Sequence, residues 1–505
     1  MGTLNAIPAL KTRATFFNDC NFNAFISVCG KSDLESRIQQ LEKIIQNMQQ
    51  QRAEQGKRVE ILTKELTGLE NQVSQSKITK TEGKGSSKGS PVYGSFKDGL
   101  VFDDGTGNWE MQLNGRIQTD YRSFQSNDRK NDTFIIRRAR FGGTFSFLKD
   151  FAVRVEGEYA DDNTGPKGTT ALTYGYLDFT RWSAAKIWVG QFKPFFGSER
   201  PQSTNFTDFT ELSLATNNEA MFTSTYDRGV MVSGDPLPWL NYNAYIVNGS
   251  GQNNDAVKDS KDIGGRVNAN LANFIDNKNV VLHIGASASE GSIGFSTAAG
   301  SSLTQVTEGS GVQFFNLVNV NSTTTGTTVT PSRFSSDRNR WGLETALAYG
   351  PVKFQAGYID TSFEGKRGPG PAITRFDNDI KAWYADINWR VTGESYAESY
   401  KSGVFGRLKL KNIFDSKDGC GAFELGLRYS KFDASDFKAI LPAPTATTSF
   451  TSEADSWTTG GKWLLNPNAC LMLNYIHTKF DTDIRVNGKL DDAEDVVILR
   501  VEYDF

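Results

Sequence analysis

Hydrophobic and polar residues alternate with a period of two through most of the chain after residue 108. Between 109 and 122, charged and amide side chains occupy one face, and the other face carries apolar residues: Trp109, Met111, Leu113, Ile117 and Tyr121. The same alternation recurs at 151–159, 423–430 and 497–505. Successive side chains of a β-strand point to opposite faces, so the pattern predicts strands with one apolar and one polar face.

The alternating segments are about ten or more residues long, whereas strands of soluble proteins average about five or six. Short turns between them alternate with long polar loops, which favours a transmembrane barrel over a soluble sandwich. The loop 290–337 is rich in Ser, Thr and Gly and is expected to be extracellular. The sequence predicts an all-β fold with a 16-stranded antiparallel transmembrane β-barrel. The expected strands are 109–124, 133–147, 151–160, 170–181, 186–195, 227–235, 240–248, 262–272, 279–289, 338–349, 351–361, 376–391, 421–433, 453–466, 468–480 and 493–505.

The first 95 residues have a different pattern. Residues 1–31 make a poor secretory leader, because Asn and Asp interrupt the apolar stretch, so the leader is atypical or the start is misassigned. Within 32–75, a heptad seam runs from Leu34 to Val73 and predicts an N-terminal α-helical coiled coil. Residues 76–95 form a basic linker rich in Gly and Ser. The barrel is expected to occupy 96–505.

Composition narrows the function classes. The 505 residues carry a formal net charge of −3, and no run of about 18 apolar residues predicts a membrane-spanning helix. The near-neutral balance argues against a nucleic-acid partner. Two histidines and four scattered cysteines offer little material for a metal site. No residue has the sequence context of a catalytic nucleophile or base, so we expect no catalytic residue, no enzyme activity and no cofactor.

Several short motifs resemble the phosphate-selective porin O/P family of bacterial outer-membrane porins. These motifs are Arg137-Arg138-Ala139-Arg140, Gly190–Phe195 followed by Glu199, Arg228-Gly229-Val230, Thr392-Gly393-Glu394 and the stretch 421–430. The resemblance covers about residues 96–505. It implies a passive, anion-preferring channel in the bacterial outer membrane, a homotrimer, and a periplasmic N-terminal region. The β-branched residues in the heptad seam favour two strands instead, so the two indications of oligomeric state differ.

A pore selects ions through the charges on its narrow part. Strand parity and position give seven candidate pore-lining, anion-binding residues: Arg116, Arg138, Arg140, Arg154, Lys193, Arg200 and Arg228. Lys193 and Arg200 flank a loop at about 196–226, which folds inward in the family. Each arginine could instead only neutralise a lumen acid. Arg137 has lipid-facing parity, so we expect it at a rim, snorkelling, or at a subunit contact.

The inward loop is itself acidic, and its candidate constriction acids are Glu199, Asp208 and Glu211. Residues 96–505 hold 42 basic and 49 acidic residues, a net of −7. The sequence therefore leaves alternatives open: an anion-preferring, phosphate-type porin, a non-selective porin, or an envelope tether acting through the coiled coil. The expected partners are outer-membrane lipid, small anions or other small solutes, further copies of the chain in a trimer, and the periplasm or cell wall.

Overall fold

A computed structural model describes most of the chain from residue 91 onward. It covers 91–505 apart from 97–98, 126–130, 161–169, 218–220, 223, 257–258, 276, 295–301, 319–322, 326–327, 331, 370–373, 416, 418 and 487. Of the earlier residues it describes Gln39, Lys43 and Gln46, which are helical and exposed. These three lie at outer positions of the predicted heptads. The remainder of the predicted coiled coil, the linker before residue 91 and the leader lie outside the described residues.

The chain divides into two units, residues 1–89 and 90–505, and the second contains every strand that the structure describes. Two short strands come first: β1 (Tyr93–Phe96) and β2 (Leu100–Asp103). The barrel strands then follow: β3 (Trp109–Phe124), β4 (Thr133–Phe147), β5 (Phe151–Glu158), β6 (Ala171–Phe179), β7 (Lys186–Phe192), β8 (Asp227–Leu237), β9 (Leu240–Val247), β10 (Asp262–Asn270) and β11 (Val280–Gly294).

Four strands lie in the loop after β11: β12 (Ser302–Val306), β13 (Gln313–Val318), β14 (Thr323–Thr325) and β15 (Thr328–Thr330). The barrel continues with β16 (Ser332–Tyr349), β17 (Val352–Pro369) and β18 (Thr374–Arg390). A two-residue pair follows, β19 (Tyr400–Lys401) and β20 (Val404–Phe405). The last barrel strands are β21 (Ala422–Asp433), β22 (Glu453–Asn466), β23 (Ala469–Val486) and β24 (Lys489–Asp504). Short 3-10 helices span Leu271–Phe274, Ala397–Ser399 and Ser435–Ile440.

Sixteen of the described strands close into an antiparallel barrel. Each pairs with the next along the ring, and β24 closes it by pairing with β3, from Val496 opposite Phe124 to Asp504 opposite Arg116. All sixteen predicted strands correspond to barrel strands, so this part of the prediction is confirmed. Closure matters because a strand edge facing lipid would leave backbone hydrogen-bonding groups unsatisfied.

The two faces of the wall have opposite chemistry. Outward residues are apolar or aromatic and exposed, including Leu343, Trp383, Leu425, Leu473 and Val501. Inward residues are polar or charged and buried, including Asp120, Arg266, Glu344, Arg428 and Arg500. This is the arrangement of a lipid-facing barrel with a polar lumen. Among the described residues, no helix is both long enough and apolar enough to cross a membrane.

The barrel has a short-turn end and a long-loop end. The N-terminal hairpin β1–β2 lies at the short-turn end, where β2 pairs with β3 from Leu100 opposite Leu113 to Asp103 opposite Glu110. At this same end, residues 396–405 fold into the lumen. There Tyr396 and Phe405 pack in one buried cluster with lumen-facing residues of β11 and β16.

Candidate functional site

Residues 193–226 connect β7 to β8 and lie inside the barrel. The chain turns at Gly197, whose φ of +64° lies in the left-handed region that glycine adopts without strain. The Gly197 N–H donates to Ser287 Oγ at 3.0 Å, and the Thr210 N–H donates to Asn474 Oδ1 at 2.7 Å. Because β11 and β23 lie at well-separated positions around the barrel, these bonds hold the loop across the lumen.

The loop acid Glu211 is the centre of an ion-pair cluster. It accepts from Arg122 at 2.6 Å, from Arg137 at 2.8 and 3.0 Å, and from Arg500 at 3.2 Å. Burial alone would raise the pKa of Glu211, but the three guanidinium groups hold that pKa well below its usual value. The negative charge of Glu211 is therefore neutralised by the wall.

The other two predicted loop acids are also held by wall cations. Asp208 accepts from Lys353 at 2.6 Å. Glu199 accepts from Ser213 at 2.5 Å, and one of its oxygens lies 3.6 Å from an Arg428 nitrogen. Burial raises the pKa of Glu199. The acids thus fasten the loop to the barrel and present little free negative charge to a solute.

Three of the predicted cations contact no carboxylate within ion-pair distance among the described residues. Lys193 and Arg200 donate to backbone carbonyls of the loop. Arg138 donates to the side-chain oxygen of Gln118 at 2.7 Å. All three side chains are buried. They are thus lumen cations without an ion-pair partner in the described part of the chain.

Lys193 lies in a cluster of positive charges. Burial, together with the charges of Arg140, Arg200, Arg116 and Arg138, lowers the pKa of the Lys193 ammonium group well below its usual value. Burial and neighbouring positive charge both disfavour the charged form of a lysine. An anion that reached Lys193 would supply the missing charge and favour the protonated form.

The remaining predicted cations have acidic neighbours. Arg116 has only a long ion pair: it donates to Thr204 at 2.5 Å and lies 3.9 Å from Glu156. The others form closer ion pairs: Arg140 with Glu158 at 2.6 Å, Arg154 with Glu156 at 2.9 Å, and Arg228 with Asp255 at 2.8 Å. These three arginines thus contact acids, as the alternative interpretation of the sequence expects.

The prediction that Arg137 faces lipid is wrong. Gln118 lies opposite Arg138 and Thr119 lies opposite Ile136, so Arg137 is the extra residue of a β-bulge in β4. A bulge shifts the alternation by one residue and re-aims the side chain. Arg137 and Arg138 therefore both serve the lumen, in the contacts with Glu211 and Gln118 described above.

A second loop also enters the lumen, and the sequence did not identify its key residue. The turn between β12 and β13 carries Glu308, whose side chain is fully buried. Its carboxylate accepts from the Leu214 N–H at 2.7 Å, from Ser430 at 2.6 Å and from Arg428 at 2.8 Å. The surrounding Ser, Thr and Gly residues predicted an extracellular loop. The one available signal was an isolated acid close to the apolar run Phe314–Leu317.

That apolar run closes part of the long-loop end. Phe314 and Phe315 are completely buried. Their rings pack on Phe432 with centroids 5.5 Å away in both cases, and Phe314 also meets Phe480. Together with Glu308, these rings hold the β12–β13 hairpin within the barrel mouth.

The first residues of the inward loop separate two cavities. The larger, about 510 Å³, lies toward the short-turn end and is lined by residues that include Lys193 and Phe195. The smaller, about 30 Å³, lies toward the long-loop end and is lined by Arg200 among others. The unneutralised cations Lys193 and Arg200 therefore border both sides of the narrowest stretch.

Among the described residues, no group of three or more His, Cys, Asp or Glu side chains is arranged to hold a metal ion. His283 has a structural setting: its ring nitrogens lie 2.7 Å from Tyr400 Oη and 2.9 Å from Glu344 Oε1. The cluster of cations at the inward loop, Arg138, Lys193 and Arg200, is the feature of the described residues that points to a function.

We compared the chain with known protein families and with curated proteins. The family model described as "Phosphate-selective porin O and P" matches residues 111–505. Porin O of Pseudomonas aeruginosa is 24% identical over 447 residues, which cover 83% of this chain and 93% of that protein.

Solved structures of similar shape include two outer-membrane proteins. The outer membrane channel DcaP of Acinetobacter baumannii has a TM-score of 0.47 at 12% identity and covers 79% of this chain and 98% of its own. In-vitro folded OmpT, an outer membrane protein of Vibrio cholerae, has a TM-score of 0.47 at 11% identity with the same coverage.

Proposed function

We propose, from the premise that the chain belongs to the phosphate-selective porin O and P family, that this outer-membrane porin conducts small solutes passively with a preference for anions. The observation that carries the proposal is the set of three cations without a carboxylate partner, Arg138, Lys193 and Arg200. Charge-assisted hydrogen bonds from such groups replace part of the hydration of an anion. A cation meets the same groups as a repulsive barrier.

Net charge would suggest the opposite preference, because residues 96–505 carry an excess of acids. We expect the positions of the charges, rather than their sum, to set the ion preference, because the loop acids Glu199, Asp208 and Glu211 each contact a cation of the wall. We propose that Arg116, Arg140 and Arg154 attract anions into the large cavity. Arg228, which forms an ion pair with the exposed Asp255, is proposed to attract anions as well. The non-selective porin is the alternative that this charge distribution disfavours.

The N-terminal region has a separate proposed role. The helical, exposed residues Gln39, Lys43 and Gln46 are compatible with the outer face of the coiled coil proposed for residues 32–75. We place this segment in the periplasm, where it would contact the cell wall or another envelope component. The homotrimer implied by the family resemblance stays a prediction, and crosslinking of the purified full chain tests it.

Incorporation of the purified protein into liposomes tests the transport proposal. In swelling assays, potassium acetate and potassium phosphate, with valinomycin in the liposome membrane so that K⁺ can follow the anion, would be compared with uncharged sugars of similar size. The proposal expects the anions to enter faster than an uncharged solute of equal size, with no energy source. Equal rates for both would support the non-selective alternative, and no swelling with any solute would favour the tether.

A further inference from the structure

The large cavity at the short-turn end combines positive charge with aromatic rings. Its lining includes Arg140, Arg154 and Lys193 together with Tyr174, Trp188 and Tyr226. A surface that attracted small inorganic anions by charge alone would not require aromatic walls. This combination carries an inference that rests on the proposed anion preference and narrows it to a class of solute.

The guanidinium group of Arg154 is stacked against a ring of the cavity, and that of Arg140 lies near a second ring, to whose hydroxyl it donates at 2.7 Å. The Arg154 guanidinium carbon lies 4.1 Å from the ring centroid of Tyr174, and that of Arg140 lies 5.6 Å from Tyr226. The rings of Tyr174 and Tyr226 meet edge to face with centroids 5.0 Å apart. Stacking of this kind orients a guanidinium plane and leaves its edge for a planar acceptor such as a carboxylate.

The local charge balance is positive. One acid, Glu156, lies within 4 Å of three guanidinium groups: Arg154 at 2.9 Å, Arg140 at 3.5 Å and Arg116 at 3.9 Å. Glu158 takes one further contact from Arg140. The same lining carries Arg407, which pairs with Asp504. Four arginines and Lys193 thus face three carboxylates. The site has room for an additional negative charge.

The size of the cavity fits an organic molecule. Its volume of about 510 Å³ falls within the range of about 300–1,000 Å³ that is usual for pockets of small organic ligands. Trp188 stacks on Tyr176 with centroids 4.5 Å apart, so the aromatic wall extends beyond the arginine-stacked rings. The Nε atom of Arg154 is buried and has no hydrogen-bond partner among the residues that the structure describes.

We propose that this cavity is a binding site for organic anions that carry a carboxylate and a flat aromatic ring. The carboxylate would be held by Arg154 and Arg116, and the ring would lie against the aromatic wall at Tyr174 and Trp188. Binding there would concentrate such solutes next to Lys193 before they cross the narrow stretch.

Block of chloride current in planar bilayers tests the proposal. Benzoate, cyclohexanecarboxylate, acetate and phosphate are added in turn to the full-length porin, and the half-blocking concentration is measured for each. We expect benzoate to block at about tenfold lower concentration than acetate, because only benzoate adds ring stacking to the charge. Cyclohexanecarboxylate, with the same charge but no flat ring, should block only slightly better than acetate.

Variants locate the site. Tyr174→Leu should raise the half-blocking concentration of benzoate severalfold and leave that of acetate unchanged, whereas Tyr174→Phe should keep the benzoate block. If Arg154→Gln fails to fold, Arg154→Lys takes its place and keeps the positive charge. Arg154→Lys should also weaken the benzoate block, because the stacked planar group is lost. Tyr475→Leu, on the outward face, is the matched control and should change nothing.

The outcomes separate this inference from the proposed function. A chloride-conducting pore that benzoate and acetate block equally would overturn the aromatic site and leave the anion preference intact. Block by phosphate at lower concentration than by benzoate would also overturn it. Absence of anion preference in the unblocked current would instead overturn the proposed function on which the inference rests.

Discussion

The guanidinium group of Arg137 donates to both carboxylate oxygens of Glu211, through Nε at 2.8 Å and Nη2 at 3.0 Å. Glu211 belongs to the inward loop, and Arg137 is the bulged residue of β4. A bidentate pair of this kind fixes distance and orientation together. The bulge therefore positions the loop that narrows the lumen.

Arg137→Ala should loosen the inward loop and lower the stability of the barrel. Glu211 would keep Arg122 and Arg500, so we expect a loss of about 1–3 kcal/mol rather than the larger cost of an isolated buried charge. The temperature at which the detergent-solubilised protein unfolds on heated gels measures the change. Arg228→Ala, which removes a pair with the exposed Asp255, should cost about 0–1 kcal/mol. Equal effects of the two substitutions would contradict the role of Arg137.

The bulge also makes a prediction about accessibility. Arg138→Cys should react with a water-soluble thiol reagent in intact membranes, whereas Ile136→Cys, on the outward face, should not. Cys20, Cys29 and the exposed Cys420 are first replaced by Ser to remove background labelling. Labelling of Ile136→Cys at the rate of Arg138→Cys would mean that the two faces of β4 have been assigned incorrectly.

Glu308→Ala should loosen the β12–β13 hairpin and raise the single-channel conductance. The substitution removes the acceptor for Arg428, Ser430 and the Leu214 N–H. The packing of Phe314 and Phe315 and the bond from Arg122 to the Gly309 carbonyl would remain. Conductance should rise, and open-channel noise should increase with it. Glu364→Ala, an exposed acid of β17, provides the control and should leave conductance unchanged. A variant with the conductance of the original protein would show that the hairpin does not limit the current.

Anion preference should weaken as the pH rises. The pKa of Lys193 is lowered, so its ammonium group loses its proton at a lower pH than an ordinary lysine, and positive charge disappears from the narrow stretch. The raised pKa of Glu199 acts in the same direction, because its carboxylate becomes charged as pH rises. Lys193→Arg should remove the lysine component, and Glu199→Gln should remove the acid component. Reversal potentials recorded from pH 5 to 9 that are the same in all three proteins would rule out both groups as the source.

The wall of this barrel was predictable from sequence because a period of two reports directly on which side a residue faces. Local departures from this period, such as β-bulges, were not predictable in the same way. The bulge at Arg137 adds one residue to β4 without a Gly or a Pro to mark it, and only the adjacent pair Arg137-Arg138 interrupts the alternation there. The charged residue at an apparently lipid-facing position was the available clue, and its cost in lipid could have suggested a shift of parity.

The interior segments were harder to predict because they fold against residues far away in sequence. Glu308 meets Arg428, 120 residues later, and Glu211 meets Arg500, 289 residues later. Polar composition alone suggested that the first of these loops was extracellular. Only the three-dimensional pairing shows that the loop acids are neutralised and that Lys193, Arg138 and Arg200 are not, and the charge count of the chain could not supply that distinction.

The most direct test of the central claim is the reversal potential of a single channel under a KCl gradient in a planar bilayer. The positive charges of Arg138, Lys193 and Arg200 predict a reversal potential displaced toward the equilibrium potential of chloride. A reversal potential near zero, or displaced toward that of potassium, would contradict the claim and would mean that the acidic residues control the lumen.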